Sequence, residues 1–203
     1  MWDKVQNNSA EHPPRSVPRL ALLQPADLDD NQRALYDAIT TGPRSRGPQL
    51  FRLLDDQGHL EGPFNAFLLQ PTLGEPLQRL GAAIRFGTQL SDRARELAIL
   101  VVAHHWRSEF EWYAHEAVGR SVGITDHELL ALRADDHAVF TTVERTVVDT
   151  VRRLCAASAL TDDEYAEAVS HLGDAGIFEL TTLVGYYAML ALQLRVFRVG
   201  VPL

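Results

Sequence analysis

The stretch that decides the fold is residues 91–123, SDRARELAILVVAHHWRSEFEWYAHEAVGRSVG. Within it Ala94–Ala103 (ARELAILVVA) is apolar almost all round, the pattern of a helix packed on every side, and it shows none of the period-2 alternation of a half-buried strand. In the second half, Ser108, Glu111, His115, Val118 and Val122 recur at i, i+3, i+7, i+10 and i+14, which puts them along one stripe of a helix. Gly123 follows where a helix ending at Val122 wants a left-handed residue.

Working outward, helical periodicity predicts further segments at 31–40, 75–86, 126–133, 139–156, 162–172 and 176–197, flanking helices over 91–106 and 109–122. Thr125-x-x-Glu128 and Thr161-x-x-Glu164 read as capping boxes, hydroxyl and carboxylate each satisfying a free N–H of the first turn. Nine of the ten prolines lie at or before Pro76 and the tenth is Pro202, so the body of the chain lacks the residue that breaks helices. No alternating run is long enough for a sheet. The expected class is all-α: an irregular N-terminal arm with short helices over residues 1–60 that wraps a neighbour or the core, then a helical domain over 61–203, making a single domain overall. The loop TGPRSRGPQ (41–49) separates the first short helix from the rest.

Composition narrows the function classes. The chain has 203 residues, a formal net charge of −8 and 19 basic residues of which only Lys4 is a lysine, scattered without a basic cluster. Nucleic acid and anionic membrane surfaces both need a positive face, so neither is an expected partner. Cys155 is the lone cysteine, which removes an internal disulfide, a CxxC redox pair and a thiolate zinc cage, and points to a reducing compartment, the cytoplasm by default. The first 18 residues are polar and proline-broken, unlike a signal peptide. Leu180–Leu194 is the most membrane-like run, but its 15 residues fall short of the roughly 20 that span hydrocarbon, and it reads as a buried helix.

Two features carry possible chemistry. Glu96 stands inside the apolar helix, where a carboxylate without a partner costs several kcal/mol. Its partner is either His115 or one of Arg93 and Arg95 near the helix start. Glu111 and His115 share a face with Ser108, and an imidazole beside a carboxylate in a semi-apolar groove is the equipment of a general acid or base, although the same spacing also describes an ordinary surface pair. Adjacent His104 and His105 point about 100° apart and do not ligate one metal comfortably. HEXXH spacing, a glycine-rich phosphate loop and a GxSxG elbow are all missing. Trp112, Tyr186 and Tyr187 read first as packing aromatics, the tyrosine hydroxyls finding partners at a pocket edge or subunit interface. Glu179–Val184 (ELTTLV) echoes Glu96–Val101 (ELAILV), too short a match to establish a duplication.

At these residues the sequence resembles the carboxymuconolactone decarboxylase and alkylhydroperoxidase AhpD-like family, over roughly residues 60–135 and in the closing stretch 174–202. The most specific element is Glu109-x-Glu111-Trp112-x-x-His115 with Gly119 and Gly123 behind it. The resemblance implies an all-α, AhpD-like helical bundle assembled as a trimer or hexamer. In the peroxidase branch a Glu, a CxxC pair and a His work in thiol redox chemistry. By position Glu96 and His115 match that set, but the two cysteines become Ser108 and Glu111, and a serine hydroxyl cannot cycle through a disulfide. In the decarboxylase branch the Glu109-x-Glu111-x-x-x-His115 pattern looks normal, which leaves proton transfer; Glu96 is not a fixed feature there.

The resemblance therefore implies a decarboxylase or related lyase or isomerase on a small carboxylated lactone or oxygenated acid. Loss of carbon dioxide leaves charge on the ring carbonyl that must be stabilised and reprotonated. On this reading His115, held by Glu111, donates the proton, Glu96 relays it or orients His115, and Ser108 donates a hydrogen bond. Arg85, Arg93 and Arg95 are the candidate binders of the anionic substrate, with Trp112 beside them. No metal or organic cofactor is expected, because the substrate supplies its own electron sink. Two other classes stay open: a hydroperoxide reductase, disfavoured by the absent CxxC, and a non-catalytic oligomeric binding protein. An all-round apolar helix agrees with a homo-oligomer.

Overall fold

The structure is a computed structural model and describes residues 17–42, 45 and 49–202; residues 1–16 of the arm and most of the 41–49 loop lie outside the described residues. Among the described residues there are eight α-helices and no strand, only an isolated bridge between Leu54 and Leu60. They are α1 (Asp30–Thr41), α2 (Pro63–Phe67), α3 (Pro71–Phe86), α4 (Asp92–Trp106), α5 (Glu109–Ser121), α6 (Asp126–Arg133), α7 (Thr142–Ala157) and α8 (Asp162–Phe197). The all-α expectation stands.

Helix α4 is the axis of the fold, with every residue from Ala94 to Ala103 buried and with α5, α7 and α8 packed around it. Its entry is fixed by Ser91, whose hydroxyl accepts from Ala94 N at 3.2 Å, and by Arg93. The Arg93 guanidinium donates to Glu128, Glu144 and the Gly123 carbonyl. Those two glutamates are the N3 residues of capping boxes on α6 and α7, so one arginine fastens the start of α4 to the starts of two other helices. The Thr125 and Thr161 boxes form as read, and Asp29–Gln32 and Thr141–Glu144 add two more.

Several boundaries move for identifiable reasons. Helix α3 begins at Pro71 rather than Glu75, because Pro71 takes the first helical position, where its missing N–H costs nothing. Pro76 then sits inside the helix. It deprives the Thr72 carbonyl of a donor, but Thr72 is exposed and water can serve it. Helix α7 begins at Thr142 rather than Val139, its start set by the Thr141 cap. The break expected between 172 and 176 is a kink at Gly173, whose φ of 67° and ψ of 171° no helix holds and a side chain rarely adopts. The short helix α2 carries no periodic signal and was not expected.

The chain up to Leu60 shares one core with the rest. Leu35, Ile39, Leu53 and Leu60 are buried in the same cluster as Leu97, Leu100 and Leu183. The backbone N–H of Arg19 donates to the Phe197 carbonyl at 2.9 Å, and the Asn65 side chain bridges Leu23 N and the Ala21 carbonyl, each at 3.0 Å. The described part of the arm thus lies on its own core. Helix α8 is long and apolar enough to cross a membrane by length and composition, with a mean hydropathy of 1.4 over its most apolar window. Here Leu180, Leu183, Tyr186, Tyr187, Leu190 and Leu194 are buried, and the helix packs on α2, α3, α4 and α7.

Candidate active site

Glu96 lies in the second turn of α4 with no exposed surface at all, followed along the helix by the apolar run Leu97–Ala103. The partner is His115 of α5: its Nδ1 stands 2.7 Å from Glu96 Oε2. Arg95, the other buried candidate, hydrogen-bonds Asp92 at 2.7 Å, and its Nε remains 3.9 Å from Glu96 Oε1, too far for a hydrogen bond. Arg93 is spent on the capping glutamates. The expectation that Glu111 holds His115 is therefore corrected: the carboxylate that fixes the imidazole comes from α4, because α5 crosses α4 with His115 directly against Glu96.

That bond has a chemical consequence. A carboxylate accepting at Nδ1 assigns the proton there and leaves Nε2 as the nitrogen that exchanges protons. The imidazole stands edge-on to Tyr187, ring centres 5.1 Å apart, and Tyr187 stands edge-on to Tyr186 at 5.3 Å. All three rings border a cavity of about 40 Å³, room for water rather than for an organic acid. Phe51, Pro63, Phe64, Phe110, Ala114 and Leu190 complete the apolar wall, with Arg85 and Glu111 as the charged members.

Glu111, one turn before His115, faces that same cavity. It is 3% exposed and neither carboxyl oxygen has a hydrogen-bond partner. Burial pushes its pKa up to about 8, and the nearby Ser108 hydroxyl offsets this only in part. A carboxylic acid at pH 7 is thus kept beside an imidazole that can accept or deliver a proton. Gly62 makes room for this wall: a side chain there would strike the Phe110 ring, and its φ of 62° suits glycine.

The candidate residues divide between two places. Glu96, Glu111, His115 and Arg85 gather at the inner cavity, where Arg85 packs over the Phe51 and Phe86 rings at 5.6 and 5.4 Å. Arg93 and Arg95 do not line it. Trp112 faces an outer groove, its indole N–H donating to Glu116 and its ring covered by Arg133 at 3.8 Å. Ser108 stands between, lining the groove while its buried hydroxyl lies near Glu111. Phe51, Pro63 and Phe64 join the site without a sequence signal, brought in by a loop and by the unread α2. Cys155, on α7, borders neither space, and burial pushes its thiol up to about 11. Glu179 is no counterpart of Glu96: it accepts the backbone N–H groups of Gln89 and Leu90 at 2.7 and 3.1 Å and secures the turn between α3 and α4.

No protein-family model and no curated protein matches the sequence. Solved structures do match. An AhpD-core, uncharacterized peroxidase-related protein from Ralstonia eutropha superposes with a TM-score of 0.74 at 12% identity, over 92% of this chain and 93% of that one. This is the AhpD-like fold. An uncharacterized peroxidase-related protein from Silicibacter sp. gives 0.73 at 15% identity, over 94% and 95%. The debrominase Bmp8, solved with one cysteine replaced by alanine and in complex with 2,3,4-tribromopyrrole, gives 0.68 at 8% identity, over 89% and 90%. At such identities the likeness carries the AhpD-like fold and not the chemistry, which has to be argued from the residues of this chain.

Proposed function

We propose that this AhpD-like chain is a cofactor-independent acid/base enzyme, a decarboxylase or related lyase or isomerase acting on a small carboxylated lactone or oxygenated acid. The observation that carries the reading is that one cavity is faced by an imidazole oriented by a buried carboxylate and by a second carboxyl held protonated at neutral pH. Environments that push two titratable groups apart assign the acid and the base. The single cysteine of the chain lies away from this cavity, so thiol redox chemistry has no place in it.

In a decarboxylation the bond from the ring to the carboxylate breaks, carbon dioxide leaves, and the electron pair stays on the ring, delocalised onto its carbonyl. Arg85 is the cation at the cavity that meets the incoming anion. Glu111 then delivers its proton to the carbanionic carbon, and His115 Nε2, the unprotonated nitrogen, takes a proton from solvent and returns it to Glu111. One proton is taken up for each carbon dioxide released. Five aromatic rings at the wall suit a planar substrate, and the tribromopyrrole bound by Bmp8 is a planar ring held by a protein of the same fold. The cavity of about 40 Å³ is too small for such a substrate, so binding requires Phe51 and Arg85, its half-buried wall members, to swing aside and enlarge it.

The test is carbon dioxide release from a panel of carboxylated lactones and oxygenated acids, carboxymuconolactone among them, with solvent deuterium followed into the product. Glu111→Gln and His115→Gln are each expected to lose on the order of 10²-fold or more in kcat. Activity should also fall above about pH 8 as Glu111 ionises. Turnover unchanged by either substitution would sink the assignment, and a chain that binds the panel without turning any member over would be a binding protein on this fold. We further propose cytoplasmic residence, in keeping with one unpaired cysteine, and a homo-oligomer, trimer or hexamer, supported by apolar residues left exposed on α3 and α8.

A further inference from the structure

Outside the inner cavity a groove of about 840 Å³ lies between the end of α4, the start of α5, the end of α6 and the face of α7. That is within the range of sites that hold small organic molecules. We propose that this groove is a second ligand site, which takes a small organic carboxylate.

The charge around it decides the ligand's sign. Four of its titratable groups are already engaged: Asp135 with Arg152 at 3.4 Å, Glu116 with Trp112 and Arg120, and His137 with Asp149 at 2.5 Å. Among the described residues, what is left without an ion pair is Arg107 and Arg133 against the one carboxylate of Glu109, with the His104 and His105 rings as further polar groups. In a chain of net charge −8 with histidine neutral, two guanidiniums facing one carboxylate are a local positive excess. The Arg133 guanidinium carbon stands 3.8 Å from the centre of the Trp112 ring, which holds this cation at the groove. A guanidinium is the group that matches a carboxylate in two parallel bonds. Val101, Ala103, Leu132, Ala156 and Val201 supply an apolar wall. An anionic head with a hydrocarbon or aromatic body answers both parts. A dianionic phosphate head would meet Glu109 with twice the repulsion of a carboxylate, and no glycine-rich turn offers it backbone N–H groups.

The groove is separate from the proton-transfer site, joined to it only through Ser108 in the wall. Its occupancy is therefore read by binding and needs no turnover. The probe is benzoate, titrated into the full chain and followed by calorimetry and by the emission of Trp112 in a chain carrying Trp2→Phe and Trp106→Phe. Saturable binding with Kd in roughly the millimolar range is expected. It should weaken roughly fivefold in each of Arg133→Gln and Arg107→Gln, as for a solvent-exposed ion pair, and fall further in the pair. Affinity should drop as salt is raised, benzylamine should not bind, and His115→Gln should leave benzoate affinity unchanged. Circular dichroism melts check that the surface arginine variants fold. No benzoate binding up to about 10 mM would overturn the proposal. So would binding that is indifferent to both arginines, or lost in His115→Gln, which would place benzoate in the inner cavity.

Discussion

His115 Nδ1 and Glu96 Oε2 stand 2.7 Å apart and tie α5 to α4 inside the core. Glu96 is wholly buried, and its other oxygen has no hydrogen-bond partner. A carboxylate set so deep costs stability unless its partner is held, and a partner deprived of it is left just as exposed to the apolar interior. Glu96→Ala should therefore destabilise the fold by about 3–5 kcal/mol in urea unfolding. Glu96→Gln keeps an acceptor for Nδ1–H and should lose far less, about 1 kcal/mol. Equal losses in the two variants would show that the side-chain volume matters and the hydrogen bond does not.

Glu111 gives the stability a pH dependence of the opposite sign to the usual acidic residue. Its folded pKa of about 8 lies above the ordinary 4.5, the cause being burial. The native state therefore binds more protons than the unfolded state between those values. Stability falls as pH rises through that window, by about 1.4 kcal/mol per unit, and is level on either side. Glu111→Gln stays neutral throughout. Urea unfolding at pH 5, 7 and 9 should find the variant's advantage over wild type absent at pH 5 and of order 4 kcal/mol at pH 9. A constant difference across the three would mean that Glu111 ionises freely in the folded chain.

How much of this was legible in the sequence follows from range. The axis α4, its all-round apolar pattern and the anomaly of Glu96 are local and could be read directly, as could the stripe carrying Glu111 and His115. Which carboxylate holds His115 depends on where α5 crosses α4, and the i,i+4 spacing of Glu111 pointed to the wrong one. Arg85, Arg93 and Arg95 look equivalent along the chain. Only the capping boxes of α6 and α7 draw Arg93 away, and only the packing of α3 turns Arg85 to the cavity. Ser108 and Trp112 share a turn with Glu111, yet the wall of α5 separates inner cavity from outer groove. Phe51 and Phe64 arrive from segments with no periodic signal, where the fold alone decides the contact.

The Arg93 hub should make the fold acid-sensitive in a way that can be isolated. Burial acts to raise both Glu128 and Glu144, but hydrogen bonds from Arg93 and from the capping threonines outweigh it and hold both below the ordinary carboxylate value. Groups depressed in the folded state add stability that is present above about pH 4.5 and is lost as pH falls through their folded values. Arg93→Ala should cost about 1–3 kcal/mol at pH 7, with partial exposure of the arginine keeping the figure toward the lower end. Between pH 5 and 3 the variant should lose less stability than wild type. Parallel acid unfolding curves would show that the threonine caps alone depress the two carboxyls.

Among the large apolar side chains left at the surface, two groups sit on helices α3 and α8, apart from others such as Val17, Leu130 and Val143. On α3 they are Leu73, Leu80 and Phe86, and on α8 Phe178, Leu192 and Val196, with Phe178 71% and Leu73 63% exposed. Leu73 and Leu80, seven apart, share one face of α3, and Phe178, Leu192 and Val196, fourteen and eighteen apart, share one face of α8, while Phe86 lies off the α3 stripe. A stripe of this kind on a single chain marks a surface that another protein covers, and a second copy of the chain is the occupant that the proposed assembly supplies. Sedimentation of wild type should give a multiple of 22.6 kDa. Phe178→Glu combined with Leu80→Glu should reduce the mass toward one chain with the helical content intact, because neither side chain contributes to the buried core. A wild-type mass of one chain would refute the assembly, and an unchanged mass in the double variant would place the contact on another surface.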